Sequence, residues 1–507
     1  MGAFPVKKSL VSRKLRAAVA AISAAAVVAS SFSGCSSAIQ KQAQSLSSAC
    51  QSAMSQIESS LGTVSKSISE AVSANVSSLQ PSKDKTTATA SKTVTKILEK
   101  TPAISSRGKA DVQSVRKITV GLPASSVPKK SVAAVSVPSA RYSKIQQRGD
   151  YQHLNSQAEK DLYQLIDRSV YRVALQKSSS GYYPTAQISY PGNISEAQIR
   201  VTLLAYMDDN PQVFWLAGVY GYGTQNGRTI LQLYSVGSSD ECSAAIRRLD
   251  SAVSAAIRSV PSGLSEFDRE EYLFNYIVGR CSYDNAAVTD TGRWQAFTAY
   301  GTLVDGSAVC EGYSRAMQLL AEYVGLNCTL VRGSSNGVGH MWNEIEVGGA
   351  WYHLDLTWCD NSIVIYNYYN VTDSIIAQTH TVGPLVSHLS EEQINSETMQ
   401  YNLDLHACSS TAANYFRYKG IPVTAAGGSG DTAVVKALAS RLKESRKSIA
   451  FWVRGDYDTT VGGMASGKLT GWLFAAEKLA GKSLDLSNTE YVTDQADNGL
   501  TIQVSYR

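Results

Sequence analysis

HMWNEIEVGGAWYHLDLTW, residues 340–358, decides how this chain is read. Apolar and polar residues alternate from His340 to Val347, Gly348 and Gly349 follow, and the alternation resumes from Ala350 to Trp358. Period-two alternation around a two-residue glycine turn predicts a β-hairpin, because two positive-φ residues match the twist of the strands they join. A two-residue loop pairs Val347 with Ala350, hence Trp342 with Asp355 and His340 with Thr357. His340 and Asp355 then share a face as diagonal neighbours, close enough for an imidazole to reach a carboxylate. A register shift of one residue would put them on opposite faces. His353 shares that face and is the rival base; it sits near Glu344 and two residues from Asp355, and is read as structural. Asp360 is the rival carboxylate, beyond the expected end of the strand.

Upstream lies GSAVCEGYSRAMQLLAEYVGL, residues 306–326. Tyr313, Ala316, Met317, Leu320 and Val324 recur at helical spacing and Gly325 supplies a stop, so Cys310 falls in the first turn of a helix. Unpaired N–H groups and the positive end of the helix dipole favour an anion there. A thiol nucleophile needs an imidazole as base and ion-pair partner, and the imidazole needs a carboxylate to fix its tautomer. Cys310, His340 and Asp355 supply the three groups. Between them, Cys328–Arg332 reads as a short strand and Gly333–Gly339 as a flexible loop leading to His340.

These two stretches, with CSYDNAAV at 281–288, resemble the core of the transglutaminase-like superfamily over about residues 265–385. The resemblance implies an α+β, papain-like core with Cys on a helix and His and Asp on successive antiparallel strands, and it carries the triad over to Cys310, His340 and Asp355. It implies that YNYYNVTDSIIAQTH, residues 366–380, closes the core, with Tyr366, Asp373 and His380 as structural positions. For the oxyanion it offers the backbone N–H of Cys310 and a second donor from Tyr300 or Trp294. The implied chemistry is acyl transfer through a thioester, with no cofactor and no metal. A peptidase or amidase on protein or cell-wall peptide leads, and a crosslinking transglutaminase is the alternative. A cell-surface interaction protein that keeps the fold for binding is the alternative of another class. The segment DDNPQVFWL, residues 208–216, is similar to units that precede such cores in bacterial surface proteins.

The rest of the chain sets the context. Its 507 residues suffice for several cores, and a net charge of +5 with no aromatic-interleaved basic patch argues against nucleic-acid binding. Residues 1–35 read as a lipoprotein-type signal: Lys7, Lys8, Arg13, Lys14 and Arg16 precede an apolar run, and Phe32-Ser33-Gly34-Cys35 resembles a lipobox. Cys35 is the expected lipidation site, which places the protein on the outer side of a bacterial cytoplasmic membrane. Within residues 36–145, apolar positions from Ile39 to Leu79 recur with a mean step of about 3.6 residues, the period of a straight amphipathic helix. It is read as a stalk with possible self-association, and Pro81 to Ser143 as a flexible tether. Residues 146–264 form an α+β accessory domain, 265–390 the catalytic core and 391–507 a C-terminal α+β domain. With Cys35 lipidated and Cys310 free, six cysteines remain, and their spacing leaves any pairing open.

Overall fold

The computed structural model describes residues 98–99, 116–117, 132–135 and 149–507, save 291, 397–398 and 426–428. The chain divides into two units, Met1–Thr89 and Ala90–Arg507, and every described residue belongs to the second. The signal with Cys35 and the 39–79 helix lie outside the described residues. Among those described, no helix is long and apolar enough to cross a membrane.

The region ahead of the core is built from serine-capped helices. Ser156, Ser195 and Ser238 each close a capping box, satisfying the first-turn N–H groups of Gln157–Val170, Glu196–Asp209 (α1) and Ser239–Arg258. Two of these helices are amphipathic, but α1 has ten buried residues around its circumference, including Arg200 and Asp208. It is an interior helix. The hairpin Leu216–Gln225 and Arg228–Ser235 turns at Asn226-Gly227, both at positive φ. Arg116–Lys117 pairs with its first strand, Val132–Ala134 with Arg172–Ala174, and Leu98–Glu99 with the C-terminal strand Glu490–Asp494. The stretch expected as a flexible tether contributes three short strands.

At the centre, Cys310–Tyr323 (α2) packs on a five-stranded sheet made of Cys328–Ser335 (β1), Val338–Val347 (β2), Ala350–Leu354 (β3), Tyr369–Val371 (β4) and His380–Val382 (β5). The sheet is antiparallel throughout, in the order β4-β3-β2-β1-β5. The hairpin register is the expected one, with Val347 opposite Ala350 and Gly348 and Gly349 both left-handed. Two expectations are corrected. The loop 333–339 is a second hairpin: β1 runs to Ser335, Asn336-Gly337 makes the turn with both residues at positive φ, and His340 pairs with Gly333. Asn-Gly favours this tight turn, and the glycines on either side had hidden it. The strand carrying Asp355 also stops early, at Leu354, and Asp355 is the N-cap of the single turn Leu356–Cys359 (α3).

Close approach of α2 to the chain before it depends on Gly312. A Cβ there would lie 2.5 Å from the carbonyl oxygen of Ala296 and 2.7 Å from the Cβ of Ala308. Gly312→Ala is expected to destabilise the fold by about 1–3 kcal/mol through overpacking, read as a lower denaturant midpoint. An unchanged midpoint would mean the helix can slide freely.

The C-terminal region has its own sheet, formed by Ile421–Val423, Ser448–Val453, Glu490–Asp494 and Gly499–Gln503 with Leu98–Glu99 at one edge. The region also holds the helices Ser429–Lys443 and Leu469–Ala480.

Candidate active site

Three elements converge on one point. Cys310 opens α2 behind the N-cap Val309, which offers no side-chain acceptor to the first-turn N–H groups. That end of the helix keeps its preference for an anion. The thiol is 1% exposed, among Ala287, Ala296, Phe297 and Val309. The helix is fastened to the strand bearing His340: Ser314 Oγ donates to the Met341 carbonyl at 3.1 Å, and Asn343 Nδ2 donates to the Ser314 carbonyl at 3.1 Å. These bonds fix the register of α2 against β2, and so hold Cys310 opposite His340.

His340 Nε2–H donates to Asp355 Oδ2 at 2.6 Å, and the Cys310 thiol is its other hydrogen-bond and charge partner. With Nε2 committed to the carboxylate, Nδ1 is the nitrogen left for sulfur. Asp355 is fully buried, and its two oxygens divide the work. Oδ1 accepts the Trp358 N–H at 3.0 Å, which caps α3, while Oδ2 faces the histidines. The capping bond fixes the carboxylate plane.

Burial opposes charge on His340, but Asp355 and Cys310 outweigh it and push the imidazole up to about 10. Burial would likewise raise the Asp355 carboxyl, yet the charge of His340 and the N–H groups of His340 and His380 hold it well below the usual carboxylate range. The signs give the stability window. The contribution of His340 is full below the ordinary imidazole value and is lost as pH rises through about 10. That of Asp355 is present above the ordinary carboxylate value and is lost in strong acid.

The rivals are occupied elsewhere. His353 Nδ1 accepts the Trp342 indole N–H at 3.1 Å and its Nε2–H donates to Asp373 Oδ1 at 3.0 Å, so both ring nitrogens are engaged. Asp360 Oδ2 accepts the Tyr313 hydroxyl at 2.7 Å. The proposed oxyanion side chains pack on a third ring, Phe214: Tyr300 stacks on it at 5.0 Å, with the Arg248 guanidinium 5.5 Å from the Tyr300 ring, and Trp294 lies parallel at 6.3 Å. Their rings pack against the DDNPQVFWL segment.

Among the described residues, two clusters carry metal-type donor atoms within 4.8 Å of one another, His340 with Asp355 and His380, and Glu344 with His353 and Cys408. In the first, both imidazole Nε2 atoms are N–H donors to the carboxylate. In the second, His353 Nδ1 holds the Trp342 N–H and Glu344 Oε2 takes the His406 backbone N–H at 2.8 Å. Hydrogen bonds within the protein use these donors. No disulfide joins any two of the six described cysteines.

Sequence reasoning did not find what anchors the site from outside. Asp208, at the end of α1, accepts both Nη atoms of Arg332 on β1 and Nη2 of Arg315 on α2, the last at 3.2 Å. Arg315 also donates to Glu311 and to the Met207 carbonyl, at 2.9 and 2.7 Å. All four side chains are buried. Arg332 lies 124 residues from Asp208, and no local pattern announces the pairing.

Residues 254–356 match the transglutaminase-like superfamily. This segment resembles that superfamily. The match takes in Cys310, His340 and Asp355 and stops just past the last of them. Human kyphoscoliosis peptidase is 28% identical over 122 residues, which are 22% of this chain and 18% of that protein. The mouse protein of the same name is 27% identical over 106 residues, 18% of this chain and 16% of its own. The chain thus spans less than a fifth of the length of these curated relatives. Among solved structures, a crystal structure of a TGase aligns over 34% of this chain and 50% of its own, at 16% identity and a TM-score of 0.20. The transglutaminase-like segment supports a cysteine-based enzyme with an α+β core.

Proposed function

We propose that this chain cleaves or transfers acyl groups at amide bonds through Cys310, His340 and Asp355, with peptide hydrolysis or amide hydrolysis as the main outcome. The observation that carries the reading is the 2.6 Å bond from His340 to a carboxylate oriented by its own helix cap, with the Cys310 thiol as the second charge partner of the ring. The Cys310 sulfur attacks the carbonyl carbon while first-turn N–H groups of α2 face the developing oxyanion. The C–N bond breaks as His340 gives its proton to the leaving amine, leaving a thioester. Water then attacks with His340 taking its proton, the C–S bond breaks, and the thiolate–imidazolium pair is restored. An amine in place of water gives transfer, the crosslinking alternative. The relatives named as peptidases favour water. Incubating the protein with a peptide library and a primary amine, read by mass spectrometry, separates chain cleavage, deamidation and transfer. Unchanged peptides and no adducts would overturn the reading.

A pH profile tests the role of His340. Because it must be protonated to release the amine, kcat/KM is expected to fall as pH rises through about 10. In Asp355→Asn the main raising influence is gone, so the residual activity should fall at a distinctly lower pH. The same limb in both proteins would exclude Asp355 as the charge partner.

The proposed setting is the outer face of a bacterial cytoplasmic membrane, anchored by lipid on Cys35, with protein or cell-wall peptide as substrate. Metabolic labelling with a radioactive fatty acid, lost in Cys35→Ala, is the expected result; equal labelling in both would remove Cys35 as the anchor.

A further inference from the structure

The carboxylate oxygen that receives His340 receives a second imidazole. His380, on β5, has its Nε2 3.1 Å from Asp355 Oδ2, beside the 2.6 Å bond from His340. A carboxylate only accepts, so Nε2 carries the proton given to Asp355, and the other nitrogen, Nδ1, accepts the Thr379 hydroxyl at 2.8 Å. The side chain is wholly buried. Trp358 at 4.8 Å, Trp342 at 5.0 Å, His340 at 5.3 Å and Tyr368 at 5.6 Å surround the ring between centroids. The backbone helps to bring it there. Gly333 has no side chain, and a Cβ at that position would collide with the Thr381 carbonyl, so β5 can lie close beside β1.

The titratable groups facing His380 are Asp355 from the cap of α3, His340 from β2, His353 from β3 and Tyr368 from the segment before β4. Burial, with the nearby histidines, lowers the His380 imidazole below its ordinary value despite Asp355, so the ring is a neutral N–H donor when the enzyme works. It does not serve as the base in the proposed reaction, because its proton-bearing nitrogen is turned to the carboxylate and its free one to Thr379.

A second donor on one oxygen has two physical effects. It removes a degree of rotational freedom from the carboxylate, which Trp358 already holds by the other oxygen. It also draws electron density from Oδ2, so that Asp355 binds the His340 imidazolium less tightly than a carboxylate with one donor would. We propose that His380 is a positioning residue that acts through Asp355, orienting the carboxylate and limiting how firmly His340 keeps its proton. This rests on the triad reading above.

The test replaces His380 by residues of similar volume, with and without a donor: His380→Gln and His380→Leu. Two readouts report on His340. In the first, proton NMR of the whole protein is expected to show two strongly downfield imidazole N–H resonances. His380→Leu should lose one and move the other further downfield, and His380→Gln should lose one and leave the other near its place. In the second, the alkylation rate of Cys310 by iodoacetamide, followed on its own peptide by mass spectrometry, steps upward where His340 loses its proton and frees the thiolate from its ion pair. That step, near pH 10 in the parent, is expected to rise by about one pH unit in His380→Leu and to stay within a few tenths in His380→Gln. A resonance that does not move and a step at the parental pH in His380→Leu, whatever its overall rate, would overturn the proposal and leave His380 as space filling. His340→Ala separates the two readings. If Cys310 in that variant alkylates at pH 7 as fast as in the parent, the triad reading fails, while the resonances still report on the shared oxygen.

Discussion

Cys310→Ala is expected to lower turnover of any peptide found in the library by about 10⁴-fold or more, because a catalytic unit that loses its nucleophile keeps only binding and oxyanion stabilisation. The fold should survive. Cys310 packs among small and apolar groups, and removing one sulfur leaves a small void worth about 1 kcal/mol. A denaturant midpoint lowered only slightly beside a lost activity is therefore the signature. His340→Ala should be nearly as severe, and the double variant hardly worse than either single one, since residues that act as a unit are not additive. Cys310→Ala retaining even a tenth of the activity would mean that the reaction runs elsewhere, and the converging geometry of α2, β2 and α3 would then be a relic of fold.

The second large effect is on stability. Asp208→Ala is expected to cost about 3–5 kcal/mol, the usual penalty for leaving a buried charge without its partner. Arg332 would be left with no carboxylate in hydrogen-bond contact, and Arg315 with only Glu311 and the Met207 carbonyl. Arg332 is 3% exposed, so water cannot replace the lost anion. Burial works against its charge, and Asp208 is the chief influence that restores it. Asp208→Asn keeps the shape and one acceptor and should fall between. The measurement is a denaturant titration at constant slope. A loss below 1 kcal/mol would show that Arg315 and Arg332 reach solvent when their partner goes. Because the same network joins α1 to α2 and β1, activity of the variant should fail at a lower temperature than that of the parent.

How much of this could be read in advance depended on the range of the interaction. Gly348-Gly349 is a local signal, and it placed the hairpin in the right register because positive φ at two successive residues leaves little choice. Asn336-Gly337 carries the same signal and was submerged in a glycine-rich run read as flexible. The helix of Cys310 followed from periodicity alone. Asp355 was placed on the right side of His340, though on a strand instead of a cap. An aspartate followed by Leu-Thr-Trp-Cys can end a strand as readily as continue it, and the bond to Trp358 N decided. Tyr300 and Trp294 are oxyanion candidates through the family resemblance, and only the position of Phe214, some 80 residues away, shows what their rings pack on.

The sequence by itself determined the local geometry: a thiol in the first turn of a helix, a hairpin carrying an imidazole, and an aspartate close behind it. Those are consequences of backbone preference and side-chain period, which act over a few residues. The tertiary structure alone decided which groups share an atom. That His340 and His380 meet on one oxygen, and that Asp208 holds two arginines from the core, depends on strands and helices packed from 25 to 124 residues apart. Buried polar groups must find partners, but nothing in a chain's order says which ones they find.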